Sequence, residues 1–270
     1  GVTMPIMTII LAFGMLVGIG ATTNISIKLG QGKRDEAEKL IGNAITLAIV
    51  VGLLISVIGL AFGNQILHMF GASEGSLPYA KAYINIILLG TVFNLLGFVF
   101  NNAIRGDGNP RLSATIMVVG CITNIVLDAL FIMVFNMGIQ GAAIATIISQ
   151  FLTAMLGLTY YVSGKSNLKF RTSSLKLNKT LVGAIFAIGC APFAMQLTNS
   201  MVQVLFNTSL TPLKAKDGGK LFIDSFTLFD HSKASSKQLL SEVSFIASFI
   251  ELTENSFVVS TQLKKVSLPS

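Results

Sequence analysis

Residues 112–135 read LSATIMVVGCITNIVLDALFIMVF, 24 positions with a single charged side chain, Asp128. A helix needs about 20 apolar residues to cross a hydrocarbon core, so this stretch is long enough to span one. Five others share the pattern: residues 2–27, 40–62, 82–104, 139–162 and 181–210. None of the five contains Asp, Glu, Lys or Arg, and from 112 to 164 the only such residue is Asp128. Length and absence of charge carry this reading, because a helix surrounded by lipid is apolar all round and shows little periodicity.

Composition agrees. Apolar residues make up 52% of the 270 positions and charged residues 11%, with a mean hydropathy of +0.74. A soluble domain carries about 25% charged residues. The expected fold class is therefore all-α, a polytopic membrane helix bundle with about six transmembrane helices. The net charge of +7 does not mark a nucleic-acid binder, since the cations sit in short loops between apolar runs.

Those loops predict an orientation. Lys28, Lys33, Arg34 and Lys39 fall around the first loop, Arg105 and Arg111 around the third, and Lys165, Lys169, Arg171, Lys176 and Lys179 around the fifth. The second loop, residues 63–80, and the turn at Gly138 have neither Lys nor Arg. The positive-inside rule puts the basic loops in the cytoplasm and residue 1 outside. The expected location is the plasma membrane, with multiple passes. Gly1 opens straight into an apolar run with no initiator Met or basic leader, so the chain is expected to begin partway into a longer protein.

Residues 211–270 are different in kind. They hold 7 Lys, 6 acidic residues and 11 Ser, and their apolar pieces, 221–229 and 243–250, are too short to span. Gly18-Ile-Gly20 lacks a βαβ setting and Gly30-Gln-Gly32-Lys33 lacks phosphate-loop spacing. Both read as packing or turn glycines, with Gly14 and Gly18 forming a small-xxx-small pair. Cys121 and Cys190 read as small apolar helix residues, and Pro192 as a kink in the last helix.

Chemistry converges on Asp128. A carboxylate at membrane depth is costly and marks an ion or substrate path by default. Asn124 precedes it by four residues, on the same helical face. Residues 112–135 and 139–162 form a tight hairpin turning near Met137, and Thr146 lies as far after that turn as Asp128 lies before it, so the two share a depth. Hard oxygen ligands of this kind suit Na⁺ or H⁺. The bland alternative is a protonated carboxyl tying helices together. Asn101, Asn94 and Gln196 are candidate cavity-lining residues. His68, placed in an outside loop, and His231, in the tail, belong to no catalytic set. No Ser/His/Asp order or metal spacing appears, so no enzyme is expected.

Several motifs now add up. Gly18-Ile-Gly-Ala, Ile27-Lys-Leu-Gly-Gln-Gly-Lys33, Ala37-Glu, Gly42-Asn-Ala44, Arg105-Gly-Asp-Gly-Asn-Pro110, Thr123-Asn-Ile-Val-Leu-Asp128 and Gly138-Ile-Gln-Gly-Ala-Ala-Ile-Ala-Thr146 occur in that order. Together they resemble the multidrug and toxic compound extrusion (MATE) family over about residues 1–210. The resemblance implies twelve helices in two lobes, driven by Na⁺ or H⁺ influx, exporting amphipathic, often cationic small molecules. On that register residues 1–180 are helices two to six of the first lobe, an incomplete lobe. Residues 181–210 are the first helix of the second lobe, and 211–270 a tail outside the family, frameshifted or fused. The missing lobe helices are expected in the complete protein.

Asp128, Asn124 and Thr146 then fall on positions resembling the family's cation site, ligating Na⁺ if Na⁺ is the coupling ion. Asn101 falls near a polar cavity position. No cofactor is expected beyond the coupling ion. Partners would be the lipid bilayer and the transported compounds. Two further readings stand beside this: a non-functional remnant, because one incomplete lobe cannot alternate access alone, and a lipid-linked oligosaccharide flippase, whose more cationic sites this Lys- and Arg-free interior does not match.

Overall fold

The computed structural model describes residues 3–70, 77–164, 166, 168 and 172–214. They form six long helices: α1 Met4–Gly30, α2 Arg34–Met69, α3 Leu77–Gly106, α4 Pro110–Ala129, α5 Gly138–Val162 and α6 Lys179–Lys214. A π-helical turn, Leu130–Val134, extends α4, and a 3₁₀ turn, Thr172–Leu175, precedes α6. All six are long and apolar enough to cross a membrane, and no strand occurs among the described residues. The chain divides into two units, 1–209 and 210–270. Apart from the end of α6, the Ser- and Lys-rich tail lies outside the described residues, as do Lys165, Lys169 and Arg171.

Several helices outrun their apolar segments. α2 starts at Arg34, with Asp35 and Glu36 in its first turn, where acidic side chains oppose the helix dipole favourably. It ends at Met69, so His68 stands in the last turn of a helix and not in a loop. Polar residues of 63–68 prolong the helix because nothing among them breaks it. Likewise Lys28 belongs to α1 and Lys39 to α2. Lys81, one residue beyond the second loop as bounded by sequence, lies in the first turns of α3, beside a loop without Lys or Arg, so the alternation of basic residues is not strict. α6 continues through Pro192.

The turns follow from their residues. Gly32 and Gly108 take positive φ of 74° and 87°, which glycine adopts without steric cost. Pro110 then opens α4 at a position where its missing N–H is not needed.

α3 is the central helix, touching α1, α2, α4 and α5. Glycines set the spacing. A Cβ on Gly52 of α2 would stand 2.9 Å from the Val92 Cα of α3, and one on Gly18 of α1 would stand 2.8 Å from Phe98 Cδ1. In a bilayer helices gain little from hydrophobic exclusion, so such close approach and its dispersion contacts hold the bundle. Phe93 packs edge-on to Phe151 of α5 with centroids 5.1 Å apart, as Phe13 of α1 does to Phe193 of α6 at 5.0 Å. These helical phenylalanines are packing residues.

α6 lies antiparallel along α1. A Cβ on Gly20 would overlap the Ile185 carbonyl, and one on Gly189 the Leu16 carbonyl. Polar bonds repeat the register: Asn24 Nδ2 donates to the Ala184 carbonyl at 3.0 Å and Ser200 Oγ to the Pro5 carbonyl at 3.2 Å. Met117, Val118, Ile122, Ile125 and Val126 of α4, with Cys121, are exposed along the membrane segment.

Candidate functional site

α4 carries Asn124 and Asp128 one turn apart on one side. Both residues are half-buried. Their Asn124 Nδ2 and Asp128 Oδ1 atoms are fully shielded and have no hydrogen-bond partner among the described residues. Buried polar atoms are paired in the great majority of cases, so two orphans on adjacent turns call for an account. Asp128 stands six residues before Val134, the end of the span, which puts it about 9 Å along the axis from that end. The carboxylate therefore lies midway between that end and the centre of the span.

Neighbouring helices bring more polar groups to this level. Asn101 of α3 meets Ser113 of α4, and antiparallel register from that pair brings Tyr83 of α3 to within about one helical turn of the level of Asp128. Tyr83 is within electrostatic reach of the carboxylate. On α5, Gly120 of α4 faces Thr153, while a Cβ on Gly141 would stand 2.9 Å from Phe131 Cβ. The same register places Thr146 across from Asp128. Its hydroxyl donates to the Ala142 carbonyl at 2.9 Å, and no hydrogen bond among the described residues joins it to Asp128 or Asn124.

Immediately beyond Asp128 the helix widens into its π-helical turn, closed by Phe135 N donating to the Leu130 carbonyl at 3.1 Å. Such turns are rare and recur at functional sites. Neither Tyr83 nor this turn was legible in the sequence. A tyrosine facing a lone membrane aspartate is a signal only once the α3–α4 register is known.

Two of the other polar candidates are engaged elsewhere. Asn101 is 6% exposed. Its Nδ2 donates to the Ser113 carbonyl at 3.1 Å, and its Oδ1 accepts from Ser113 Oγ at 2.7 Å and Arg105 Nη2 at 3.0 Å. It staples α3 to α4 at the basic end. Gln196 of α6 donates to Met15 Sδ at 3.5 Å and accepts from Asn199. Asn94 is half-buried on α3.

Chemically, the Asp128 group is a hard oxygen donor with one oxygen lacking a partner among the described residues. A half-turn of the Asn124 amide exchanges Nδ2 for Oδ1 and adds a second oxygen. Carboxylate, amide and hydroxyl oxygens suit a hard cation and not a thiophilic metal. No group of three His, Cys, Asp or Glu able to hold a metal occurs among the described residues.

Comparison with known proteins is consistent throughout the membrane part. Residues 1–130 match the MatE family model. The multidrug export protein MepA of Staphylococcus haemolyticus is 32% identical over 208 residues, 77% of this chain and 46% of its own length. The Staphylococcus aureus MepA is 28% identical over the same span. Among solved structures, the MATE multidrug transporter DinF-BH superposes with a TM-score of 0.75 at 32% identity, covering 82% of this chain and 50% of that one. An inward-facing MATE transporter of the MOP superfamily gives 0.75 at 22% identity, over 81% and 49%, a likeness of fold. The chain spans about half the length of the relatives it matches.

Proposed function

This chain belongs to the MATE family, whose members are transporters, and from that premise we propose that its helices serve a cation-coupled antiporter exporting amphipathic, often cationic compounds across the plasma membrane. The observation that carries this reading is the pair of shielded, unpartnered atoms on Asp128 and Asn124. A buried carboxylate has two inexpensive states, protonated or paired with a cation. Exchange between those states is what couples ion flow to export. Asp128 is the coupling group, Asn124 and Thr146 supply oxygens if the ion is Na⁺, and Asn94 and Gln196 are cavity positions. Multidrug export is the function that the MepA relatives carry in their names.

Transport is a property of two repeats moving against each other, so the proposal concerns the two-lobed protein containing these helices. Asp128→Asn in that protein, reconstituted in vesicles with an imposed Na⁺ or H⁺ gradient, should abolish gradient-driven efflux of a cationic dye. Insertion and the helical circular-dichroism signal should persist. Undiminished efflux by the variant would remove Asp128 from the mechanism.

A further inference from the structure

A second site lies at the basic end of the bundle, remote from Asp128. A cavity of about 520 Å³ opens there between the start of α2 and the segment entering α6. Three lysines line it: Lys39, Lys176 and Lys179. Among the described residues no Asp or Glu lines it, and the ion pairs seen at this end, Lys28–Glu36 and Lys33–Glu36, involve other lysines. Three like charges sharing one cavity repel one another, and a bound anion removes that repulsion.

The wall behind them is tied together by hydrogen bonds. Asn43 is 2% exposed, and its Nδ2 donates to the Lys39 carbonyl at 2.8 Å while its Oδ1 accepts from Asn178 N at 2.7 Å. Asn178 in turn caps α6, accepting from Thr180 N at 3.0 Å. Thus two lysines on the α6 entry segment and one on α2 are held toward the same space by a scaffold built from other side chains.

Position and lining select the class of anion. Lys39 immediately precedes the apolar run that begins at Leu40, and Lys179 precedes Leu181, so the ammonium groups stand where membrane gives way to water. Leu177 and Leu181 complete the lining. A free inorganic phosphate has no use for leucines, whereas a phospholipid places its phosphate close to apolar acyl chains. Basic pockets at the membrane surface recognise anionic headgroups in this way.

We infer that this cavity binds the phosphate headgroup of an anionic phospholipid, holding the α2 start and the α6 entry segment to the bilayer surface. The site is independent of the coupling reading, and its test involves no transport.

The test is native mass spectrometry of the full chain released from micelles holding equal dioleoyl-phosphatidylglycerol and dioleoyl-phosphatidylcholine. The wild type should retain the anionic lipid at least about fivefold over the zwitterionic one, a bias of about 1 kcal/mol. K39Q/K176Q/K179Q should bring the ratio close to one, and K39R/K176R/K179R should keep it. K33Q/R34Q/K81Q, the same charge change on exposed positions outside the cavity, should keep it too. K176Q alone, on an exposed turn, gives a partial loss if the triple variant fails to fold. No lipid preference in the wild type overturns the proposal, as does equal loss in the K33Q/R34Q/K81Q control. Inorganic phosphate retained in place of the lipid also overturns it, leaving a free-anion site.

Discussion

The phenol of Tyr160, in the last turn of α5, donates to Asp107 Oδ2 at 2.7 Å and so ties α5 to the loop between α3 and α4. Ser166 Oγ donates to the same oxygen at 2.7 Å. Asp107 is only 3% exposed. A hydrogen bond to a charged acceptor is worth about 1.5–3 kcal/mol. Tyr160→Phe removes one such bond while keeping the ring packing against Tyr161. We expect it to lower the thermal midpoint of the full chain in detergent, followed by circular dichroism at 222 nm. Asp107→Ala should lower it further, since it strips the partner from both hydroxyls at once. A midpoint unchanged by Asp107→Ala would show that the loop is held by other contacts.

The α1–α6 contact is set by Gly20, whose missing side chain leaves space for the Ile185 carbonyl. The obstructing atom is backbone, so no rotamer change relieves a clash. Gly20→Leu should therefore destabilise by more than about 1–3 kcal/mol, the usual cost of overpacking a core. Gly30→Leu has nothing within 4 Å of its Cβ and should be tolerated apart from local effects. Equal melting of the two variants would mean that α6 does not lie against α1 in detergent.

These two contacts also mark the limit of what the sequence discloses. Six spans are legible because long runs without charge have no other stable use, and Gly14 and Gly18 are legible as a close-packing pair because small-residue spacing is local. Which helix fills each groove is not local: Phe98 packs on Gly18, but Ile185 packs on Gly20 from far along the chain. The motif Arg105-Gly-Asp-Gly-Asn-Pro110 signals a turn through its glycines and proline. Nothing in it announces that Asp107 is buried and receives a tyrosine proton donor from α5. Asp128 and Thr146 could be set at one level by counting from Met137, with Asn124 one turn away on the same face, because a tight hairpin fixes register. Asn101 looked equally free on paper, and only the α3–α4 geometry shows both ends of its amide bonded.

Tyr83 offers a way to probe the Asp128 carboxylate without altering it. The phenol lies within electrostatic reach of Asp128 and packs beside Ile84 and Ile87 in a buried apolar cluster. Tyr83→Phe preserves the ring and removes the dipole. In the two-lobed protein it should leave folding intact while changing the ion concentration for half-maximal efflux about threefold or more, the effect of about 0.7 kcal/mol at the site. An unchanged ion dependence would separate Tyr83 from the coupling group.

Asn124 separates the two coupling ions. A proton needs only the Asp128 carboxylate, because protonation completes the group's bonding without further ligands. Na⁺ must replace several waters, and further oxygens can come from Asn124, one turn along α4, and from Thr146 on α5. Asn124→Leu removes one ligand and keeps a side chain of similar size. If Na⁺ drives export, the half-saturating Na⁺ concentration should rise about tenfold or more, corresponding to the loss of about 1.4 kcal/mol of ion binding. If H⁺ drives it, the pH dependence of efflux should move only slightly, since the amide has no proton to exchange. Efflux under matched Na⁺ and pH gradients, measured for Asn124→Leu and Asp128→Asn together, decides between them. Loss confined to Asp128→Asn assigns the proton, and parallel loss in both assigns Na⁺.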